Sequence, residues 1–280
     1  MRSIERLTQG PIFDVVLYLD ERGTPGTERL FITGGVLIYG DKKAVADAWS
    51  RFVAKHAIRR RKGTNLSRVN LLDAAEFLIQ QPILPVAIWS ELTNGELERL
   101  KTYSDEYRRK KSPYKRAEKI SPASWIWKHQ MNQTIACAQG SFLVHIGRIG
   151  TAHAHIDQVT DQVEMRAHYK KLLEHFLTAS RLGAIAPEYG ASPEYAMLLQ
   201  QASPEMWKVD LNATGPLAQL ADITCAMFGR FRSGESQEPW DVVKLRYKIG
   251  DQVPVCIGGD ITWSVRNYLR ELYSSFWIYR

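Results

Sequence analysis

Hydrophobic residues along the chain alternate between short runs with strand character and longer stretches with helical spacing. Residues 13–19, Phe-Asp-Val-Val-Leu-Tyr-Leu, form the first apolar run and end in Asp20-Glu21-Arg22-Gly23-Thr24-Pro25-Gly26, which predicts a buried strand followed by a turn. Leu30 to Tyr39 predicts a second strand, hairpin-paired with the first, in which Gly34-Gly35 marks a bulge or a close backbone approach. After Asp41, a candidate N-cap, the positions Val45, Ala48, Trp49, Phe52, Val53 and His56 follow helical spacing. Residues 68–80 repeat that pattern through Leu71, Leu72, Ala75, Leu78 and Ile79. A third strand is predicted over Ile83 to Trp89, and a long helix from Ser121-Pro122 onward.

A short fourth strand follows over Thr151 to Asp157, then an amphipathic stretch over 160–180 and a fifth strand over Met206 to Leu211. Leu217 to Phe231, after Gly215-Pro216, reads as a core helix. Trp240 to Arg280 reads as a hairpin followed by an aromatic helix carrying Trp263, Tyr268, Leu269, Leu272, Tyr273 and Phe276. Gly258-Gly259-Asp260 reads as a turn. Strands interleaved with helices predict an α/β domain with a mixed sheet. Its boundaries fall near residues 10–235, with helices inserted after the second strand, a basic insertion at about 92–120, and a C-terminal extension over 236–280 packed on the domain.

Composition narrows the class. With 280 residues, 45% hydrophobic and 24% charged, the chain is an ordinary globular protein and not a disordered, collagen-like or disulfide-stapled one. Cys137, Cys225 and Cys256 are far apart and form no Cys-x-x-Cys pair. Met1 to Arg6 has no apolar core of a signal peptide, and no apolar run approaches the ~20 residues needed to cross a bilayer. The expectation is a reduced, cytoplasmic protein with no membrane partner.

The net charge is +7, and two segments concentrate it. Arg59, Arg60, Arg61 and Lys62 form one run; Arg108, Arg109, Lys110, Lys111, Lys115, Arg116 and Lys119 stand against Glu118 alone in the other. A solvated face explains one such run. Two of them in a basic chain favour a polyanionic partner, nucleic acid.

Three aspartates hold positions that pattern alone makes notable. Asp20 ends the first strand, Asp157 ends the fourth, and Asp222 lies in the helix after the fifth. Strand ends on one sheet edge converge, and a following helix can lean over them. Three converging carboxylates repel one another unless cations neutralise them. Mg²⁺ or Mn²⁺ takes such oxygen ligands, and a pair of ions ~3.5–4 Å apart supports phosphodiester hydrolysis. Each aspartate also has an ordinary role open to it: Asp20 starting a turn, Asp157 capping a helix, Asp222 exposed on an amphipathic face.

Tyr18-Leu19-Asp20-Glu21-Arg22-Gly23, the Gly34-Gly35-Val36 strand, Ile156-Asp157-Gln158 and Leu217-Ala218-Gln219-Leu220-Ala221-Asp222 resemble, in order, the signature blocks of the RNase H-like family catalogued as domain of unknown function 3800. The resemblance spans roughly residues 14–231, and the Gln-Leu-Ala-Asp block is its most specific part. Arg22 stands where the family usually has Ser, and Leu211 follows Asp210 where it usually has Ser. These departures concern supporting hydroxyls and leave the carboxylates in place. The resemblance implies an RNase H-like fold and metal-dependent nuclease chemistry.

The resulting expectation is a Mg²⁺- or Mn²⁺-dependent phosphodiesterase acting on RNA or DNA, with phage or mobile-element conflict with a host as a candidate setting. Asp20, Asp157 and Asp222 would hold metal, assisted by Asp210 at the end of the fifth strand or by Glu21, which points to the opposite strand face. Arg59–Lys62 and Arg108–Lys111 would hold the backbone. His153 and His155, at period two with Asp157, could bind a transition metal but fit packing or general-acid roles better. The alternative is a non-catalytic RNase H-like module that binds nucleic acid or protein, and the aromatic C-terminal helix is a candidate homo-oligomer contact.

Overall fold

Strand β1, Ile12–Arg22, buries Val15, Leu17, Tyr18 and Leu19 and anchors the sheet. In the computed structural model, which describes residues 3–58, 62–109, 122–157, 170–171, 173–174, 192–247, 257–267 and 269–270, β1 runs antiparallel to β2 (Leu30–Ile38), and β2 antiparallel to β3 (Ile83–Glu91). On its other side β1 pairs in parallel with β4 (Arg148–Ile156), which pairs in parallel with β5 (Trp207–Asp210). The strand β6 (Ile257–Asp260) adds in parallel to β3, so the six-stranded order is β5-β4-β1-β2-β3-β6. The mixed α/β sheet is as expected.

The glycine pair in β2 is a close approach. A Cβ on Gly35 would collide with the Tyr18 carbonyl oxygen, and one on Gly34 would lie 2.8 Å from the Val86 carbonyl oxygen.

Helices cover both faces. After α1 (Ser3–Gln9), α2 (Lys42–Lys55) begins at Asp41, whose side chain accepts from the Lys43 and Ala44 N–H groups. A 3₁₀ turn at Gly63–Asn65 leads to α3 (Arg68–Gln80), capped by Ser67. Helix α4 (Asn94–Arg109) occupies the region read only as a basic insertion. Its start is a reciprocal capping box: the Thr93 N–H donates to Glu96, and the Glu96 N–H donates to Thr93 Oγ1. Helix α5 (Pro122–His145) packs on β2, β3 and β4. Helix α6 (Pro193–Ala202), absent from the sequence reading, packs against α1 and β4.

Helix α7 (Pro216–Ser233) lies on β1 and β2, across the sheet from α5, and buries Leu217, Leu220, Ile223 and Phe228. Its entry needs Gly215 at φ 90°, and its exit Gly234 at φ 76°, both left-handed conformations that favour glycine.

The C-terminal region corrects two expectations. The hairpin predicted from Trp240 is instead helix α8 (Glu238–Arg246) followed by β6. Pro239 in its first turn starts the helix, and Trp240 and Val243 are buried against α3 and α7. Gly258-Gly259-Asp260 is strand, not turn, because β3 offers a free edge to pair with it. Residues 262–267 are helical, as the aromatic-helix reading requires at its start; Tyr268, Tyr273 and Phe276 lie outside the described residues. Most of the amphipathic stretch at 160–180 also lies outside them.

Candidate active site at the carboxylate edge

Three contacts bring the carboxylates to one end of the sheet. The Asp157 N–H donates to the Leu19 carbonyl at 3.1 Å, tying the end of β4 to β1 beside Asp20. The Ala213 N–H donates to the Ile156 carbonyl at 3.0 Å, which brings the loop before α7 back over the same end. Residues Lys62-Gly63 dock on α7, where the Gly63 N–H donates to Asp222 Oδ2 at 2.7 Å. A Cβ on Gly63 would come within 2.7 Å of Ala226 Cβ and 2.8 Å of Ile223 Cα, so glycine is needed for that approach.

Asp20, Asp157 and Asp222 line a cleft of about 1230 Å³ together with Glu21, Arg22, Trp49, Lys62 and the 213–216 loop. Asp20 and Asp222 are close enough for each to act on the other's titration. Burial first, then the charges of Asp222, Asp157 and Glu21, push the Asp20 carboxyl up to about 7, against the pull of the Glu21 N–H that it accepts at 2.7 Å. Burial also raises Asp222, opposed by the Gly63 N–H, the Lys62 charge and Asp20, and reinforced by Asp157. Both carboxyls are thus held above the usual carboxylate range, chiefly by burial.

Glu21 occupies the opposite strand face, as its alternation with Asp20 requires. Its cross-strand partner Thr33 bonds to Thr134 of α5, and the Trp127 indole of the same helix faces the Glu21 carboxyl. Burial raises that carboxyl to about 7; the Trp127 indole opposes the rise and Asp157 adds to it. Glu21 Oε2 is buried and has no hydrogen-bond partner among the described residues.

Asp210 is not brought to this point. It ends β5, one strand beyond β4, and faces His155 with Oδ2 at 3.7 Å from Nδ1. His155 stacks on Tyr18 at 4.7 Å and on His153 at 4.3 Å between ring centroids, a packed aromatic row on β1 and β4. Burial, then His153 and Lys42, hold the His155 imidazole down to about 4.

Of the basic residues, Lys62 lines the cleft and is exposed. Arg59, Arg60, Arg61, Lys110 and Lys111 lie outside the described residues, as do the side chains of Arg108 and Arg109 at the end of α4. Cys137 and Cys225 are both free thiols. Sequence reasoning missed Gly63 as the group that orients Asp222, although the run Lys62-Gly63-Thr64-Asn65 carried a turn signal. It also treated Arg22 only as a departure from a family pattern, whereas Arg22 lines the cleft.

The donors suit a hard divalent cation in kind: carboxylate oxygens, of Asp20 and Asp222 partly buried and of Asp157 exposed, set close together. Among the described residues, no group of three or more His, Cys, Asp or Glu side chains is close enough to hold an ion in this arrangement. Asp20 and Asp222 make the close pair, and Asp157 acts on both through its field.

No family model matches the chain, and no curated protein sequence matches it. A chain of the PCNA:RNase HII complex from Archaeoglobus fulgidus is similar at 12% identity, over 93% of this chain and 89% of that chain, with a TM-score of 0.38. At that score the likeness carries no argument. No helix among the described residues is long and apolar enough to cross a membrane.

Proposed function

We propose that this protein is an RNase H-like phosphodiesterase that hydrolyses RNA or DNA with Mg²⁺ or Mn²⁺. The observation that carries the reading is the pair Asp20–Asp222, two neighbouring carboxyls both raised by burial and by the Asp157 charge, with Asp157 beside them in an open cleft. Crowding partly buried carboxylates costs stability, and a site that binds a cation turns that cost into affinity. The meander β1–β2–β3, extended beyond β1 by two parallel strands, supports the fold that the sequence blocks imply.

Asp20 and Asp222 would hold the cation, and Asp157 would complete its shell. When bound, the ion supplies positive charge against the negative charge that develops on the phosphodiester. Gly63 keeps Asp222 Oδ2 oriented, which fixes the attitude of that carboxylate. Lys62 tempers the negative field at the cleft mouth and favours a polyanion there.

The test is cleavage of mixed RNA and DNA oligonucleotides with Mg²⁺, with Mn²⁺ and with EDTA, using wild type, Asp20→Asn and Asp222→Asn. Metal-dependent cleavage that both variants lose is expected; cleavage that survives in either variant would exclude that residue as a metal ligand. A second reading, nucleic-acid or protein binding without cleavage, is favoured by the absence of a ready-made three-ligand group among the described residues. Metal-insensitive binding with no cleavage of any substrate would select it.

A further inference from the structure

We infer that Arg22 is a phosphate-binding residue of the cleft, seating the polynucleotide backbone beside the carboxylates. The inference rests on the phosphodiesterase reading and adds the group that holds the substrate. In β1, Asp20 and Arg22 share a strand face, about 7 Å apart along the chain at ~3.4 Å per residue. Arg22 lies across α7 at Gly229, where a Cβ would be 2.6 Å from its Cδ and would collide with Nη1. The absence of a side chain there leaves a berth for the guanidinium.

Among the described residues, little of that group's bonding capacity is used. Nη1 donates to the Ala226 carbonyl at 3.3 Å, and Nη2 is 3.9 Å from Glu235, beyond hydrogen-bond distance. The Glu235 carboxylate is itself more than half exposed and accepts from Ser233 at 2.9 Å. A guanidinium carries five N–H donors in a fixed fork that matches a phosphate edge, and the Arg22 side chain keeps 30% of its surface accessible on the cleft wall.

The ion pair of Arg22 is with Glu235, at 3.9 Å, and not with Asp20 or Asp222. Lys62 lines the cleft at the Asp222 end of α7, and Arg22 contacts the helix about one to two turns further on, at Ala226 and Gly229. A backbone passing the carboxylates would meet a cation on either side of them.

The test compares Arg22→Gln, Arg22→Lys and Glu235→Gln, all in the full chain, by steady-state cleavage and by anisotropy of fluorescein-labelled single-stranded RNA and DNA in EDTA. Arg22→Gln should raise KM and the dissociation constant about tenfold for every sequence, leave kcat within about twofold, and reduce the slope of log affinity against log salt by about 1. Arg22→Lys should recover part of the affinity and most of the salt slope. Glu235→Gln should change neither, because the ion pair is not the function.

Equal losses in Arg22→Gln and Glu235→Gln, or an unchanged salt slope in Arg22→Gln, would overturn the inference and make Arg22 a structural residue. Thermal melts check that the variants are folded, and Arg22→Lys keeps the question open to refutation if Arg22→Gln is not. A wild type that binds oligonucleotide with this Arg22 dependence but never cleaves would sink the phosphodiesterase reading alone. A wild type that binds none would sink both.

Discussion

The two faces of the sheet bury most of their polar groups in opposite ways, with the unpartnered Glu21 Oε2 an exception on the α5 side. Under α5, Thr33, Ser90, Gln130 and Thr134 are all buried and form a closed set of bonds: Thr33 to Thr134 at 2.5 Å, Ser90 to Gln130 at 2.7 Å, and Gln130 to the Phe31 carbonyl at 2.9 Å. Each of these four side chains has a bonded partner, so the network stabilises and specifies the packing. Under α7, Asp20 and Asp222 press like charges together with few donors, and both titrate above their ordinary range. Satisfied polar groups are read as architecture, and crowded charges as a site that awaits a partner.

The largest expected effect breaks the crowded side. Asp20→Asn or Asp222→Asn should lower metal-dependent cleavage at least a thousandfold, about 4 kcal/mol in barrier. Metal-free thermal stability should stay level or rise, since a repelling charge is gone and the amide oxygen introduced by Asp222→Asn can still accept from the Gly63 N–H. The melting-temperature gain on adding Mg²⁺ should shrink. A variant that melts lower yet cleaves at the wild-type rate would move these residues to the architectural side of the comparison.

The pH dependence of metal-free stability comes next. Asp20 goes from 3.8 in the unfolded chain to about 7 when folded, so the folded state holds the proton more tightly. Its contribution is fully present below about pH 4 and is lost as pH rises to about 7, by at most roughly 4 kcal/mol. His129 and His155, each held near 4 from 6.5, act with the opposite sign over much of that window. The informative quantity is therefore the difference between wild type and Asp20→Asn in urea melts with EDTA. Wild type should lose ground to the variant steadily from pH 4 to pH 7. A constant difference would mean that neither burial nor crowding raises Asp20.

The satisfied side gives a smaller effect of a different kind. Gln130→Leu or Thr134→Val leaves a buried partner unpaired and should cost about 1–3 kcal/mol in urea melts, with cleavage per folded molecule unchanged. Cleavage that falls further than the folded fraction would join the two faces functionally.

Much of this contrast was legible in the chain. The apolar run before Asp20, the Asp41 cap and the Gly34-Gly35 pair are local signals, and local chemistry produced β1, α2 and the close β1–β2 approach. The convergence of Asp20 and Asp222 followed from where strands end. Helix α4 was hidden because its only strongly buried anchor in the described part is Leu100, although Thr93 and Glu96 spell its capping box. Strand β6 and helix α8 were misread because pairing with β3 and burial of Trp240 are decided by distant parts of the chain. Asp210 could not be separated from the cluster without the strand order, which sets β5 outside β4. Gly63 and Arg22 meet α7 across 159 and 204 residues, a separation that no periodicity reports.

The smallest expected effect concerns the histidine row, which lies on the carboxylate face without joining the cluster. His153 and His155 share a strand face with Asp157, and a reading of pattern alone leaves a transition-metal site open to them. Their rings instead stack on each other and on Tyr18, and His155 faces the Asp210 carboxylate at 3.7 Å, at the edge of the sheet. An imidazole held near 4 is neutral at the working pH, so it neither repels a cation in the cleft nor stands ready to donate a proton. The double change His153→Ala, His155→Ala should therefore keep Mg²⁺-supported cleavage within about tenfold, below roughly 1.4 kcal/mol in barrier. It should also reduce the loss of stability on acidification between about pH 6.5 and 4, because a neutral buried His155 no longer has to be charged. Abolished cleavage together with stoichiometric zinc in the purified wild type would place the metal at the histidines and reverse the assignment of the two clusters.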